Sequence, residues 1–276
     1  MLINMEQMLV IAKENKFAVG AYNISNLELA RIVIEQCEED NAPAIIEVHP
    51  TEVFYCKDDF FAYVLQRIKN SKVPFVLHLD HGDNLDSVAR AIHNGFSSVM
   101  IDGSLLSWDE NVDITRKTVE MCHRVGVSVE GELGTIGQTG TAVEDGLKNG
   151  IYTKPEDAKR FVEGTGVDIL AFGIGTAHGI YPKNVTPEIR IDILKDIMGK
   201  SMFLWFSMAV LQILMNRLPK LLRMVSQRLI FHLTSSTPFS IRLGKFWRTT
   251  KDGTQTIYSQ FVLKKERRSS IIKINY

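Results

Sequence analysis

Long apolar runs are scarce in this chain. The longest, Met202 to Leu214, is about 13 residues and already includes Ser207 and Gln212, short of the roughly 20 that a membrane-spanning helix needs, so no membrane partner is expected. Cysteine is almost missing: Cys37, Cys56 and Cys122 form no CxxC pair and follow no secretory leader, which excludes a disulfide scaffold and points to reduced thiols in a cytoplasmic protein. Net charge is missing as well, with 32 basic and 32 acidic side chains, and that balance alone predicts no polyanion partner. Glycine is absent from one part only. Of 19 glycines, Gly244 and Gly253 are the two beyond residue 200. The same stretch, 201–276, sets 13 Lys and Arg against Asp252 and Glu266 and holds Trp205 and Trp247, so an acidic body precedes a basic tail built by different compositional rules.

What is present is alternation. At 276 residues and 45% apolar content the chain can bury one large core. Phe17 to Tyr22 reads as a strand ending at Asn23, and Ser25-Asn-Leu-Glu28 as a capping box opening a helix through about Cys37. A second strand, Ala44 to Val48, ends at His49, and a helix follows from Asp58 to Lys69. The run Val73 to Leu79 is short and rich in branched residues, a buried strand that delivers Asp80 and His81 at its tip. Asn84 then caps a helix with Leu85, Val88 and Ile92 on one face. Ser98 to Ile101 ends at Asp102, a helix runs from about Asp109 to Val125, and Val127 to Gly131 ends at Glu132. A loop with Gly134, Gly137, Gly140, Gly146 and Gly150 is suited to move. Thr153 to Glu156 caps a helix through Glu163, a sixth strand spans Asp168 to Ile174, and a helix covers about Glu188 to Met198.

Strands and helices alternating with short links imply parallel strands joined by right-handed crossovers. The fold class expected is α/β, a (β/α)8 TIM barrel left incomplete: about six units are recognisable in residues 1–200, and strands seven and eight are lost or replaced, with open sheet edges. Each strand ends in a residue able to do chemistry, namely Asn23, His49, Asp80 with His81, Asp102 and Glu132, with His178 just beyond the sixth. In such a barrel these ends meet on one face. Each residue alone is as readily a helix cap or a hydrogen-bonded core side chain; together they require five coincidences. Two imidazoles, His81 and His178, among Asp80, Asp102 and Glu132 make a nitrogen-and-oxygen metal site, for which zinc is best suited. Reading Gly173 to Gly179 as a nucleotide-binding turn fails, because the spacing is GxGxxxG and Tyr181-Pro182 follows where the phosphate-binding helix should begin.

HLDHG at 78–82, MIDGS at 100–104, EGELG at 130–134 and GTAHG at 175–179 resemble, in order and spacing, the class II, metal-dependent ketose-bisphosphate aldolases of fructose- and tagatose-bisphosphate type. The resemblance covers residues 1 to about 200. It implies a lyase of carbohydrate metabolism that cleaves a ketose 1,6-bisphosphate into dihydroxyacetone phosphate and an aldehyde phosphate. It further implies zinc on His81 and His178, and Asp80 as the acid/base at the C4 hydroxyl. Asp102 and Glu132 would be polar partners or ligands of a second metal position, and Asn23 and Gly179 would touch the dihydroxyacetone-phosphate half. A monovalent cation and a homodimer or homotetramer are also implied.

The tail departs from that pattern. Such enzymes present a seventh strand ending in His-Gly-Gly, whose His is the third zinc ligand, and an eighth resembling Lys-Ile-Asn-Ile-Ser-Ser-Asp, and neither is in residues 201–276. A shifted reading frame accounts for both. If the third base of each codon is joined to the first two of the next, Leu204 through Val210 can be read as Leu-Val-Leu-His-Gly-Gly. The Val is forced by Trp205 before Phe206 and a Gly by Met208 before Ala209. Met224 through Thr234 can be read as Gly-Val-Thr-Lys-Ile-Asn-Ile-Ser-Ser-Asp. One base lost near codon 200 would produce the tail. Impaired catalysis is the expectation, with two alternatives: an inactive aldolase-like protein, or a binding module acting through the basic tail. Arg217, Lys220, Arg223, Arg228, Lys264-Lys265 and Arg267-Arg268, with Phe246 and Trp247 interleaved, carry no recognised nucleic-acid motif, and a solvated segment is the reading adopted.

Overall fold

The computed structural model describes residues 1–15, 17, 19–134, 152–173 and 190–200, and beyond these the backbone of six further strands. Eight parallel strands close a barrel in sequence order, β1 to β8. They are β1 (Val19–Asn23), β2 (Ala44–Val48), β3 (Phe75–Gly82), β4 (Ser98–Ile101), β5 (Ser128–Leu133), β6 (Ile169–Phe172), β7 (Trp205–Ala209) and β8 (Leu229–Leu233). The helices are α1 (Met5–Asn15), α2 (Leu27–Asp40), α3 (Pro50–Asn70), α4 (Leu85–His93), α5 (Trp108–His123), α6 (Pro155–Thr165) and α7 (Ile191–Lys200).

The barrel class is as the alternation predicts, and the expectation of open edges is corrected. The basic segment supplies replacement staves: Ile169 pairs with Trp205, Phe206 with Leu229, and Val19 with Ile230, so β1 and β6 both have neighbours. Parallel pairing asks only for extended backbone, which apolar runs of this length provide whatever motif they carry. Among the described residues no helix stands between β7 and β8 or follows β8. Beyond the barrel, β9 (Ser240–Gly244) pairs antiparallel with β12 (Gln260–Lys264), and β10 (Trp247–Thr249) with β11 (Gln255–Ile257).

Two apolar clusters follow from strand alternation. The outward residues Ile46, Val48, Leu77, Leu79, Val99, Ile101, Val129 and Leu170 pack beneath the helices, against Ile34, Phe61, Val64, Val88 and Phe161. The inward residues at the N-terminal end, Val19, Ala21, Ile45, Val76 and Ile169, meet Met5, Met8, Leu9 and Ala12 of α1. The amphipathic N-terminal segment is thus a plug that closes the bottom of the barrel. Its first turn is tied to the wall where Met5 N donates to Ser128 Oγ at 2.9 Å. The opposite end is left for chemistry.

Several boundaries shift for identifiable reasons. The N-cap of α2 is Asn26, whose side chain accepts from Leu29 N, rather than Ser25. Helix α3 begins at Pro50, not Asp58, and bends at Lys57, whose φ of 63° splits it into two segments. Ser107 and Glu110 form a reciprocal capping box for α5. Thr153 does not cap α6. Its hydroxyl donates to Leu133 O at 2.9 Å and accepts from Gly173 N at 3.1 Å, stitching the ends of β5 and β6 together. The glycine-rich loop, save Gly134, lies outside the described residues.

Candidate metal centre

The site begins with a local irregularity in β3. Leu79 pairs with Val99, yet Gly82 pairs with Ile101, so three steps along β3 match two along β4. The extra residue is a β-bulge. It falls at His81, whose φ of 54° is left-handed, a conformation that a non-glycine residue rarely adopts and that costs about 1–3 kcal/mol. In a regular strand Asp80 and His81 would face opposite sides of the wall. With the bulge, both side chains lie at the mouth, where the Asp80 carboxylate comes within 3.8 Å of the His81 ring.

Around His81 the carboxylates converge. Its Nδ1 lies 2.8 Å from Asp102 Oδ2 at the end of β4 and 3.8 Å from Glu132 Oε2 on β5. Its Nε2 lies 3.8 Å from Asp80 Oδ1. Asp102 is oriented from behind, since Ser104 N donates to its Oδ1 at 3.0 Å. Glu132 is held through its backbone: buried Asn111 of α5 donates to its carbonyl at 2.9 Å. Asn23 at the end of β1 donates from Nδ2 to Asp80 Oδ2 at 2.8 Å. Burial follows depth in the cup, with the side chains of Glu132 and Asp80 only 2% and 8% exposed and that of Asp102 23%.

His81, Asp102 and Glu132 each offer a ligand atom within 4.8 Å of the others. Four-coordinate zinc with bonds near 2.0 Å spaces its ligand atoms roughly 3.3 Å apart. The observed 2.8 and 3.8 Å bracket that value. One neutral imidazole nitrogen and two carboxylate oxygens are a donor set that zinc accepts, so the residues fit a divalent ion.

Sequence reasoning named Asn23, Asp80, His81, Asp102 and Glu132, and the fold brings these five together at one mouth. His178 and Gly179 lie outside the described residues. A layer one pleat deeper was missed. Glu47, His78 and Glu130 are fully buried inside the barrel, two residues below His49, Asp80 and Glu132 on their strands. His78 Nδ1 lies 2.9 Å from Ser98 Oγ, and its Nε2 lies 3.6 Å from Glu130 Oε2. The signal was available: counting back by two from each strand-end residue reaches all three.

The charges have a consequence in the protein stripped of divalent ions. Burial works against a charged His81, but the hydrogen bond to Asp102 and the charges of Asp80, Glu132 and Asp102 overcome it and raise its pKa from 6.5 to about 9. Burial likewise opposes ionised Asp102, and the hydrogen bonds from His81 and Ser104 outweigh it, lowering its pKa from 3.8 to about 2. The raised group contributes stability that is complete below pH 6.5 and lost as pH climbs through about 9. The lowered group contributes stability present above pH 3.8 and lost as pH falls toward 2. Chelator-treated protein should therefore show a Tm contribution from this pair that is level between about pH 4 and 6.5 and declines on the alkaline side, read by thermal melts across pH. A Tm that rises from pH 7 to 10 would contradict it.

A sequence model of class-II fructose-bisphosphate aldolase matches residues 3–275. The fructose-bisphosphate aldolase of Staphylococcus aureus strain Mu50 is 44% identical over 186 residues, which are 65% of this chain and 64% of that protein. That of Giardia intestinalis is 41% identical over 195 residues, 70% of this chain and 59% of that one. The chain thus spans less than two thirds of the length of these curated relatives. Among solved structures, the YdjI aldolase of Escherichia coli K12 superposes with a TM-score of 0.73 at 25% identity, covering 85% of this chain and 82% of that one. The fructose-bisphosphate aldolase of Campylobacter jejuni gives 0.67 at 25% identity, with 84% and 77% covered. With four motifs in register, a parallel barrel and a carboxylate-imidazole cluster at its mouth, this chain belongs to the class-II fructose-bisphosphate aldolase family.

Proposed function

We propose that the mouth of this barrel is the site of a zinc-dependent aldolase that splits a ketose 1,6-bisphosphate into dihydroxyacetone phosphate and an aldehyde phosphate. The observation that carries the reading is the convergence of His81, Asp102 and Glu132 within 4.8 Å beside a buried Asp80. His81 with His178 would hold the zinc, with Asp102 and Glu132 as further ligands or polar partners. When bound, zinc supplies Lewis acidity toward the carbonyl oxygen of the substrate.

Asp80 would move the proton. In cleavage the C4 hydroxyl gives its proton to the Asp80 carboxylate while the C3–C4 bonding pair shifts toward C3, leaving an aldehyde at C4. Asn23 fixes the carboxylate by its 2.8 Å hydrogen bond, and the 6% exposure of Asp80 keeps water from competing for the proton. Asn23 and Gly179 would contact the dihydroxyacetone-phosphate half. The assembly would be a cytoplasmic homodimer or homotetramer.

Turnover is proposed to be impaired, because the His-Gly-Gly and Lys-Ile-Asn-Ile-Ser-Ser-Asp segments are missing from residues 201–276. The reading frame of the gene near codon 200 tests the origin of that tail: an uninterrupted frame with no aldolase motif in the alternative one refutes the shift. Function is tested on the purified chain by zinc titration calorimetry and a coupled assay of fructose 1,6-bisphosphate cleavage. The expected result is one ion bound per chain and turnover at least about a hundredfold below that of the full-length relatives, in line with losing a metal ligand and phosphate contacts. Absence of divalent-ion binding would overturn the metal reading, and turnover equal to the relatives' would overturn the impairment.

A further inference from the structure

His49 ends β2 and caps α3, one strand away from Asp80 and His81, and nothing in the proposed chemistry uses it. Its ring centroid lies 6.4 Å from that of His81, tilted by 47°. Its side chain is 46% exposed, whereas those of Asp80 and Glu132 are 8% and 2% exposed. It therefore stands at the rim, on the path from the buried carboxylates to solvent.

The back of the ring is engaged by its own helix. His49 Nδ1 lies 2.9 Å from Thr51 Oγ1, and Thr51 Oγ1 donates to Glu52 Oε2 at 2.8 Å. Thr51 N donates to the same Nδ1 at 3.3 Å, the bond by which His49 caps α3. The Thr51 backbone and hydroxyl thus hold Nδ1 and leave Nε2, as donor or acceptor according to the tautomer, for another partner. An imidazole oriented by a hydroxyl-carboxylate pair, with its second nitrogen available at the end of a barrel strand, is arranged to meet a ligand.

We propose that His49 is a substrate-contacting residue, its Nε2 sharing a hydrogen bond with a hydroxyl of the sugar phosphate where the ligand leaves the buried carboxylates for solvent. This rests on the aldolase reading of the site. His49 would position the substrate and would neither bind the metal nor transfer a proton.

The test uses His49→Asn. Asparagine is a preferred N-cap, so α3 keeps its cap while Nε2 is removed. Calorimetry on the zinc-loaded full chain, with fructose 1,6-bisphosphate as the probe, should show affinity falling about tenfold, the weight of one hydrogen bond. Zinc affinity and Tm should be unchanged. Thr51→Val, which frees the ring from the Thr51 hydroxyl, should weaken the same binding about threefold. Unchanged sugar-phosphate affinity in His49→Asn overturns the inference alone. A parallel loss of zinc affinity also overturns it, by making the residue a ligand of the ion. If the unmodified chain binds zinc but not fructose 1,6-bisphosphate, the aldolase reading itself fails and the inference falls with it.

Discussion

Substituting His81 by asparagine is expected to abolish divalent-ion binding while leaving the fold intact. Asparagine is chosen for the backbone: His81 has φ of 54°, and asparagine tolerates the left-handed region better than other residues with a Cβ. The bulge in β3 should survive, and the loss can be assigned to the imidazole. Losing an outer-shell partner of a metal costs roughly 10–100-fold in affinity, and loss of a direct ligand should exceed that. What remains of the described cluster is the carboxylate pair of Asp102 and Glu132, and His178 would be the one imidazole left to the ion. The same variant should abolish the alkaline decline in Tm assigned to His81, because the titrating group is gone. Zinc titration and pH-dependent melting check both halves; zinc affinity within a few-fold of the unmodified chain would remove His81 from the site.

The second large effect is expected at Gly82, next to that imidazole. A Cβ built on Gly82 would sit 2.5 Å from the carbonyl oxygen of Met100 and 2.9 Å from Leu79 Cδ2. The first of these atoms is backbone in the adjoining strand and cannot turn aside. It belongs to the register in which Gly82 opposes Ile101 and Asp102 N donates to Gly82 O at 2.8 Å. Gly82→Ala must therefore push β3 from β4 at the point where the bulge presents Asp80 and His81. Overpacking of this kind costs about 1–3 kcal/mol in stability. Because His81 and Asp102 sit on the two strands being separated, zinc affinity should fall by about tenfold or more, in the range of a misplaced supporting residue. Denaturant titration together with zinc calorimetry measures the two losses. A variant as stable and as zinc-competent as the parent would mean that β3 and β4 can separate there without cost.

These two residues also show what a one-dimensional reading reaches. His81, Asp80, Asp102, Glu132 and Asn23 were legible because each closes an apolar run, and a parallel barrel gathers the ends of such runs on one face. The bulge was not legible. Alternation alone would have turned Asp80 and His81 to opposite faces, and the extra residue that rescues both is set by pairing with β4, a contact between segments about twenty positions apart. The same limit hid the plug. The surface that Met5, Met8 and Leu9 cover exists only once the strands have closed. Helix α3 was cut short because Lys57 interrupts its dihedrals, and the half that was missed is the half that His49 caps. The staves β7 and β8 were hidden for the opposite reason. Expectation there rested on family motifs, and extended backbone can form from residues that carry none of them.

The placement of the site on the wall has a mechanical meaning. Asn23, Asp80, His81, Asp102 and Glu132 are borne by β1, β3, β4 and β5, so they occupy one continuous arc, and Thr153 ties the next strand, β6, to its edge. The staves from the basic segment, β7 and β8, close the remainder of the ring between β6 and β1. An arc anchored by its own helices can keep its curvature while the opposite staves are exchanged for others, as a bridge span keeps its shape when the far bank is rebuilt.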